Sequence, residues 1–430
     1  MGFAFRTRLP VKYAGLIFAY SNIFIRKQVM KIKLFRLIPV ITLIIIGIFI
    51  CDCFAELKEG LVEEFYPDGA LKAERIYKKG VLNGNSKTYY ESGKLLSEGI
   101  YSNDALNGEY KIYYENGQVF FSKEYKDGVL SGSSKEYFEN GNLKSAESFT
   151  DDNLNGTCRY YYDNGNQKYW MNFTDGELNG ISKEYYETGI IKSEVNYADG
   201  KWDGIVKEFD EQGNLIAKWI YKDGEKNGKA QMYYADGKLK WEATFKNDDL
   251  EGNSIALAPN GQIVMEAFFS KGKINGTVRE NYENGGIKSV VEYKDDKKNG
   301  LQKEYYRNGN LGVERTYKDD IESGISKEFY ESGALWVTRT YLNDKKDGNM
   351  REYYDTGELK QEWDIEEGTL SGLSKSFYKS GELMSEEFYL DGKLNGVSRL
   401  YALDGRLVYE DEFMDGARIK RKSYDAPEVN

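Results

Sequence analysis

Glycine recurs in this chain at a fixed interval, and that interval leaves few folds open. One series runs Gly69, Gly93, Gly117 and every 24 residues on to Gly405; a second runs Gly60, Gly84, Gly108 and on to Gly396. Fifteen copies without an insertion are more than drifting low-complexity sequence holds in phase, so the chain from residue 56 onward is a repeat array.

The unit is clearest from Gly108 to Gly132, GEYKIYYENGQVFFSKEYKDGVLSG. Apolar runs flank Asn116-Gly117, the signature of a two-residue type I′ hairpin turn. Counting outward from that turn, Tyr114 is expected to face Val119, Tyr113 Phe120, Ile112 Phe121 and Lys111 Ser122. Because strand side chains alternate between faces, each column of the repeat takes a side. One face reads as apolar, with Tyr66, Tyr90, Tyr114, Phe138, Tyr162 and Tyr186 against Leu71, Leu95, Val119, Leu143, Gln167 and Ile191. Further along it, the column Tyr77, Tyr101, Tyr125, Phe149, interrupted only by Ile365, falls opposite the second glycine and covers its bare backbone. The other face reads as charged. Its register predicts the pairs Lys87/Glu98, Lys183/Glu194, Lys303/Glu314, Arg351/Glu362, Lys375/Glu386 and Arg399/Glu410, with Lys207 opposite Lys218 as the exception. Such solvated pairs contribute about 0.2 to 1 kcal/mol each, so they select pairing more than they hold the sheet.

The expected fold is all-β: an elongated single antiparallel sheet of about fifteen 24-residue β-hairpin repeats over residues 56–416. At roughly 4.8 Å per strand it would extend about 140 Å, a ribbon whose apolar face needs curvature, a second copy or a partner to cover it. The stretch Gly252 to Tyr282 is the weakest, with Leu257, Ala258 and Asn281 in aromatic columns and Pro259 in the turn. Residues 417–430, with Arg418, Lys420, Arg421 and Lys422, read as a charged cap and tail for an open sheet edge.

Ahead of the array, residues 30–55 have a basic start (Lys31, Lys33, Arg36), an apolar run from Leu37 to Cys51 and a small-x-small site ending at Ala55. That is a signal peptide, with cleavage near Ala55 and an exported mature chain, periplasmic, at the cell surface or secreted. The apolar run is shorter than the roughly 20 residues of a spanning helix, so a membrane anchor over 37–51 is the alternative. Residues 1–29 read as a misassigned upstream start, with Met30 the natural initiator.

Removing residues 1–55 takes away eight Lys/Arg and one acid, moving the formal charge from −11 to −18. Such a chain repels nucleic acid and anionic headgroups, so no nucleic-acid partner is expected, and the membrane enters only during export. Cys158 would be the mature chain's one cysteine; its column elsewhere holds Ser, Val and Ala, which reads as a packed small residue. With no histidine, Ser-His-Asp triads, Cys-His pairs and His-ligated metals are excluded. The acidic pairs Asp151-Asp152, Asp248-Asp249, Asp295-Asp296 and Asp319-Asp320 lack the alternating ligands of a calcium loop and read as solvated turns. No catalytic residue, cofactor or metal is expected.

The register places Trp219 opposite Val206, Trp241 opposite Met232 and Trp363 opposite Met350, all as packing. On the charged face it places Trp170 opposite Arg159 and Trp336 opposite Phe329, and these four are candidates for partner binding. The row Tyr89, Tyr113, Tyr137 and Tyr161 is a further candidate, for protein contact or for stacking on sugars.

The unit E-Y-Y-x-x-G-x-L-x-x-E-x-x-Y-x-D-G-x-x-N-G resembles the MORN-repeat variant, whose bacterial arrays include YwqK-like antitoxin components. The resemblance spans residues 56–416. It implies a sheet of successive hairpins serving as a contact surface without catalysis. The expected function is a non-catalytic exported scaffold that binds a protein partner, or self-associates, through its Tyr/Leu face or its Tyr/Lys/Glu face. A toxin-neutralising antitoxin component and a carbohydrate or cell-wall contact protein are the alternatives.

Overall fold

The computed structural model describes residues 57–424. The expected signal peptide, its cleavage site, the upstream start and residues 425–430 lie outside the described residues. Within them every regular element is a strand, and each strand pairs antiparallel with its sequence neighbours, giving one continuous open sheet. There are forty strand elements, nine of them two-residue pieces cut off by a bulge. Fifteen hairpins and one closing strand, Ala417–Ser423, account for the rest.

Two kinds of turn alternate along the array, and the type I′ turn is not the one expected from Asn-Gly. At Tyr114–Gln118 the Tyr114 N–H donates to the Gln118 carbonyl at 2.8 Å and the Gly117 N–H to the Tyr114 carbonyl at 2.8 Å. Gly117 has φ +91° whereas Asn116 is not among the positive-φ residues, so this is a three-residue loop closed by a bulge. The Asn116 side-chain oxygen accepts the Gln118 N–H instead. The type I′ geometry belongs to Asp127-Gly128, both at positive φ (50° and 83°) between paired Lys126 and Val129. In Asn247-Asp248 the first aspartate of the Asp248-Asp249 pair takes the glycine's place; in the other Asp-Asp units the second does, as at Asp320 (φ 71°). Its carboxylate then accepts the Lys298 N–H of the preceding repeat at 2.7 Å while its own N–H donates to the Lys298 carbonyl at 3.0 Å. These acids are structural ties between neighbouring turns.

The three-residue loop shifts part of the expected register. Lys111 does face Ser122 and Ile112 Phe121, but Tyr113 faces Val119, and Phe120 bulges out of the ladder. A one-residue slip sends side chains to the opposite face. The aliphatic column Leu95, Val119, Leu143 therefore lies opposite Tyr89, Tyr113 and Tyr137, not opposite Tyr90, Tyr114 and Phe138. The bulged residue joins the latter column instead, with Lys168 Nζ 5.2 Å from the Tyr162 ring and Phe120 5.0 Å from Tyr114. Beyond the bulge the register is as expected: Gly84 opposes Tyr101, Gly108 opposes Tyr125 and Gly348 opposes Ile365. All six predicted Lys/Arg–Glu pairs are directly opposite, and so are Lys207 and Lys218. The sheet runs through Gly252–Leu257 and Ile263–Ser270 without a break in pairing.

Eleven tyrosines at the start of the Asn-Gly loop, from Tyr66 to Tyr378, stitch consecutive repeats together. Each hydroxyl donates to a main-chain carbonyl 23 residues on, as Tyr306 does to Phe329 at 2.8 Å.

Candidate surface for partner contact

The two faces differ in burial more than in polarity. On the face that carries Tyr77 and Tyr101, the buried apolar side chains concentrate in the middle repeats: Cys158, Val195, Val206, Trp219, Ala243, Val278 and Val291 among them. Small residues are covered there by larger neighbours across the strand, as Val206 is by Trp219. Trp219, Trp241 and Phe245 form a cluster with centroids 6.2 to 6.3 Å apart, and Lys226 Nζ lies 4.8 Å from the Trp219 ring. Trp241 opposes Met232 and Trp363 opposes Met350, as the register requires.

This face is not apolar throughout, which corrects the sequence reading. Glutamates such as Glu64, Glu184, Glu208 and Glu328 lie on it, because the column next to the tyrosines alternates inward. Toward the C-terminal end ionic contacts replace apolar ones: Arg315 lies 3.9 Å from Glu322 and 3.6 Å from Glu328, and Arg339 2.5 Å from Glu328. Burial pushes the Glu208 and Glu147 carboxyls up, and Tyr160 donates to Glu147 at 2.7 Å. Cys158 is fully buried in the small-residue column opposite Met171, and burial pushes its thiol up to about 11, which keeps it protonated at neutral pH. Among the described residues no three His, Cys, Asp or Glu side chains converge to hold a metal ion.

The opposite face carries the Lys/Glu ladder. Glu194 pairs with both Lys183 (2.9 Å) and Lys207 (3.1 Å), and Glu314 with Lys303 (3.4 Å) and Lys327 (3.1 Å), so one carboxylate bridges consecutive hairpins. This explains how Lys207 tolerates Lys218: its partner is on the other side. Of the residues expected to bind a partner, Arg159 and Trp170 are brought together, and Lys183 flanks Trp170 from the next hairpin. Trp336 and Phe329 are not. Phe329 opposes Leu335, and Trp336 is the bulged residue, its ring 6.0 Å from Tyr330. Tyr89, Tyr113, Tyr137 and Tyr161 do form one row of half-buried rings on the charged face. The Tyr89 and Tyr113 hydroxyls donate to Glu74 and Glu98 at 2.5 Å, and burial together with those carboxylates pushes both phenols up to about 12.

Sequence reasoning missed a third set on this face. Leu61, Ile76, Ile100, Ile181, Ile205, Phe268, Leu301, Ile325, Leu373, Phe388 and Val397 are exposed in the columns beside the second glycine. Their signal was present as an aliphatic residue directly after that glycine in unit after unit, masked by Asn, Ser, Thr and Lys in the others.

A sheet of identical hairpins tied at both turns, with a packed middle and a solvated ladder, defines a repeat scaffold. The profile of the MORN repeat variant family matches residues 58–79, 82–103, 106–127, 130–151, 178–199, 202–223, 226–247, 274–295, 298–319, 322–343, 346–365 and 370–391, more than half of the chain. The protein belongs to that family. Residues 152–177, 248–273 and those beyond 391 fall outside the matches, although the strand pairing continues through them. No curated protein matches the sequence. Among solved structures, the chain resembles the crystal structure of TcdB2-TccC3 without its hypervariable C-terminal region, at 12% identity and a TM-score of 0.14, over 86% of this chain and 22% of that one. It also resembles the crystal structure of TcdB2-TccC3-Cdc42, at 11% identity and a TM-score of 0.13, over 85% of this chain and 26% of that one. The chain thus spans about a quarter or less of the length of those proteins.

Proposed function

We propose that this protein is a non-catalytic scaffold, exported through residues 30–55, that holds a partner protein on its Tyr/Lys/Glu face. One observation carries the choice of face: branched aliphatic and aromatic side chains stand in solvent along it, whereas the middle of the face that carries Tyr77 and Tyr101 is closed by its own side chains. Exposed apolar groups in a regular row, bordered by charge, are what a protein interface uses.

A photo-crosslinking residue at Ile205, on the ladder face, and one at Ala243, on the packed face, test this in the native cell. The expected result is a discrete cross-linked species from position 205 and none from 243; equal labelling from both removes the preference for a face. Fractionation with intact-mass analysis tests the compartment. A mature chain beginning at Glu56 outside the cytoplasm supports export, and an unprocessed cytoplasmic chain favours the toxin-neutralising reading that the family resemblance suggests.

A further inference from the structure

We infer that Asn284 is a self-modification site, the loop of the array at which an asparagine side chain sheds its amide to become aspartate or isoaspartate as the protein ages. The chain holds fourteen Asn-Gly pairs, all with the glycine that leaves such a ring closure sterically open. The fold separates them. Eight lie in the strand ladder with the glycine opposite a tyrosine or phenylalanine, as Gly276 is opposite Tyr293. Ring closure there would pull the backbone out of its pairing.

The other six lie in the three-residue loops, and in five of them the side-chain amide is held at both ends. The Asn260 oxygen accepts the Gln262 N–H at 3.0 Å, and its Nδ2 donates to the Glu283 carbonyl of the next loop at 2.9 Å. Asn116, Asn140, Asn164 and Asn308 make the same two bonds. Asn284 makes only the first, accepting the Gly286 N–H at 3.1 Å, and its Nδ2 has no partner among the described residues. Its neighbours widen the difference. Position 286 is a glycine, whereas Asn142, Asn166 and Asn310 in that column add a further bond to the next loop's carbonyl at 2.8 to 2.9 Å. The next loop opens with Arg307, its guanidinium 5.1 Å from the Tyr282 ring, where the other five meet Glu or Asp. Residues 283–288 are all exposed, so water reaches the loop. The backbone is held as in the other loops, with the Gly285 N–H donating to the Tyr282 carbonyl at 2.8 Å, so what differs at Asn284 is the freedom of its carboxamide.

The step needs only hydroxide and water. Hydroxide takes the Gly285 N–H proton, and the nitrogen bonds to the Asn284 Cγ. The Cγ–Nδ2 bond breaks, ammonia leaves with a proton from water, and a five-membered imide remains. One water opens that imide: attack at Cγ gives aspartate, and attack at the main-chain carbonyl gives isoaspartate, with one methylene added to the backbone. The loop is closed by the Tyr282 N–H on the Gly286 carbonyl and the Gly285 N–H on the Tyr282 carbonyl, both at 2.8 Å, and a longer backbone cannot keep both. The Tyr282 hydroxyl, which ties this hairpin to the Tyr305 carbonyl at 2.7 Å, loosens with it. None of this requires a partner, so it goes beyond the scaffold reading and stands independently of it.

The test incubates the full chain at mildly alkaline pH, native and in urea, and follows each Asn-Gly peptide by mass mapping. In the native chain Asn284 is expected to convert at least about fivefold faster than Asn116 or Asn260, whose amides must first give up a hydrogen bond. In urea the six loop sites should convert at comparable rates. Gly286→Asn restores the residue that ties other loops and should slow Asn284 by about the same factor. Equal native rates at the six sites, a ranking that persists in urea, or no slowing in Gly286→Asn overturns the assignment. Hydrogen exchange on the aged chain reads the consequence: amides of Tyr282 and Gly285 should lose protection while those of Leu239–Lys246 keep it, and unchanged protection overturns the opening of the loop.

Discussion

At the scale of the residue, the array depends on two groups that repeat without touching any ligand. The first is the loop tyrosine hydroxyl. Tyr306→Phe deletes one O–H···O=C bond and leaves the Phe329 carbonyl short of a partner, a loss of about 1 kcal/mol expected as faster amide exchange in the two hairpins it joins. The second is the glycine of the second series. Gly228 has φ +127°, and a Cβ there would lie 3.1 Å from the Ile220 Cβ, so both conformation and space demand glycine. Gly237, in the loop, has φ +82° with open space around it. Gly228→Ala is therefore expected to cost about 1 to 3 kcal/mol and Gly237→Ala less, a ranking that thermal melts of the two variants would check. The sequence exposed both glycine series, but it assigned the wrong turn type to one. Asn-Gly and Asp-Gly are equally good type I′ signals, and the choice between them rests on where the bulge falls, which no dipeptide encodes.

At the scale of the element, the closing strand shows how an edge is held. Arg421 donates twice to Asp411 at 2.6 Å and lies 4.0 Å from the Tyr409 ring, clasping Ala417–Ser423 to the preceding strand. Those hydrogen bonds hold the Asp411 carboxyl below its usual 3.8. A depressed carboxylate stabilises the folded state above its unfolded value, and that contribution is lost as pH falls through the folded one. Amide protection in residues 417–423 is therefore expected to be full above about pH 4 and to fall below it, ahead of the middle repeats. Asp411→Asn should lower that protection at neutral pH and remove its acid sensitivity, as hydrogen exchange at several pH values would record. The column position of Asp411 could be counted from the period, but its burial could not: other members of that column are Gly99, Trp219 and Arg315. The same ambiguity misplaced Trp336. A bulge one residue wide moved it from the ladder face to the side of Tyr330.

At the scale of the whole molecule, each hairpin touches only its neighbours, so stability is expected to be near the sum of unit and interface terms. Deleting residues 228–251, one full period, joins residue 227 to Gly252 in the same phase and should preserve the strand signal in circular dichroism with a smaller denaturant slope. Deleting 228–239, half a period, brings outgoing strands where returning ones belong and should abolish cooperative unfolding at that junction. A half-period deletion that melts like the full-period one would refute the picture of a one-dimensional array.

The 24-residue period by itself determined that the chain makes hairpins, that they follow one another in a single antiparallel sheet, and which lysine or arginine stands opposite which glutamate within a hairpin. Those properties follow from hydrogen-bond counting along a strand, a local rule that sequence spacing carries in full. Which side of the sheet packs, where along the array the packing concentrates, and which aliphatic residues are left in solvent were decided by the tertiary structure alone. Burial depends on what neighbouring hairpins place above a residue, and the bulges beside each turn reassign side chains to faces in a way that the spacing of glycines cannot report.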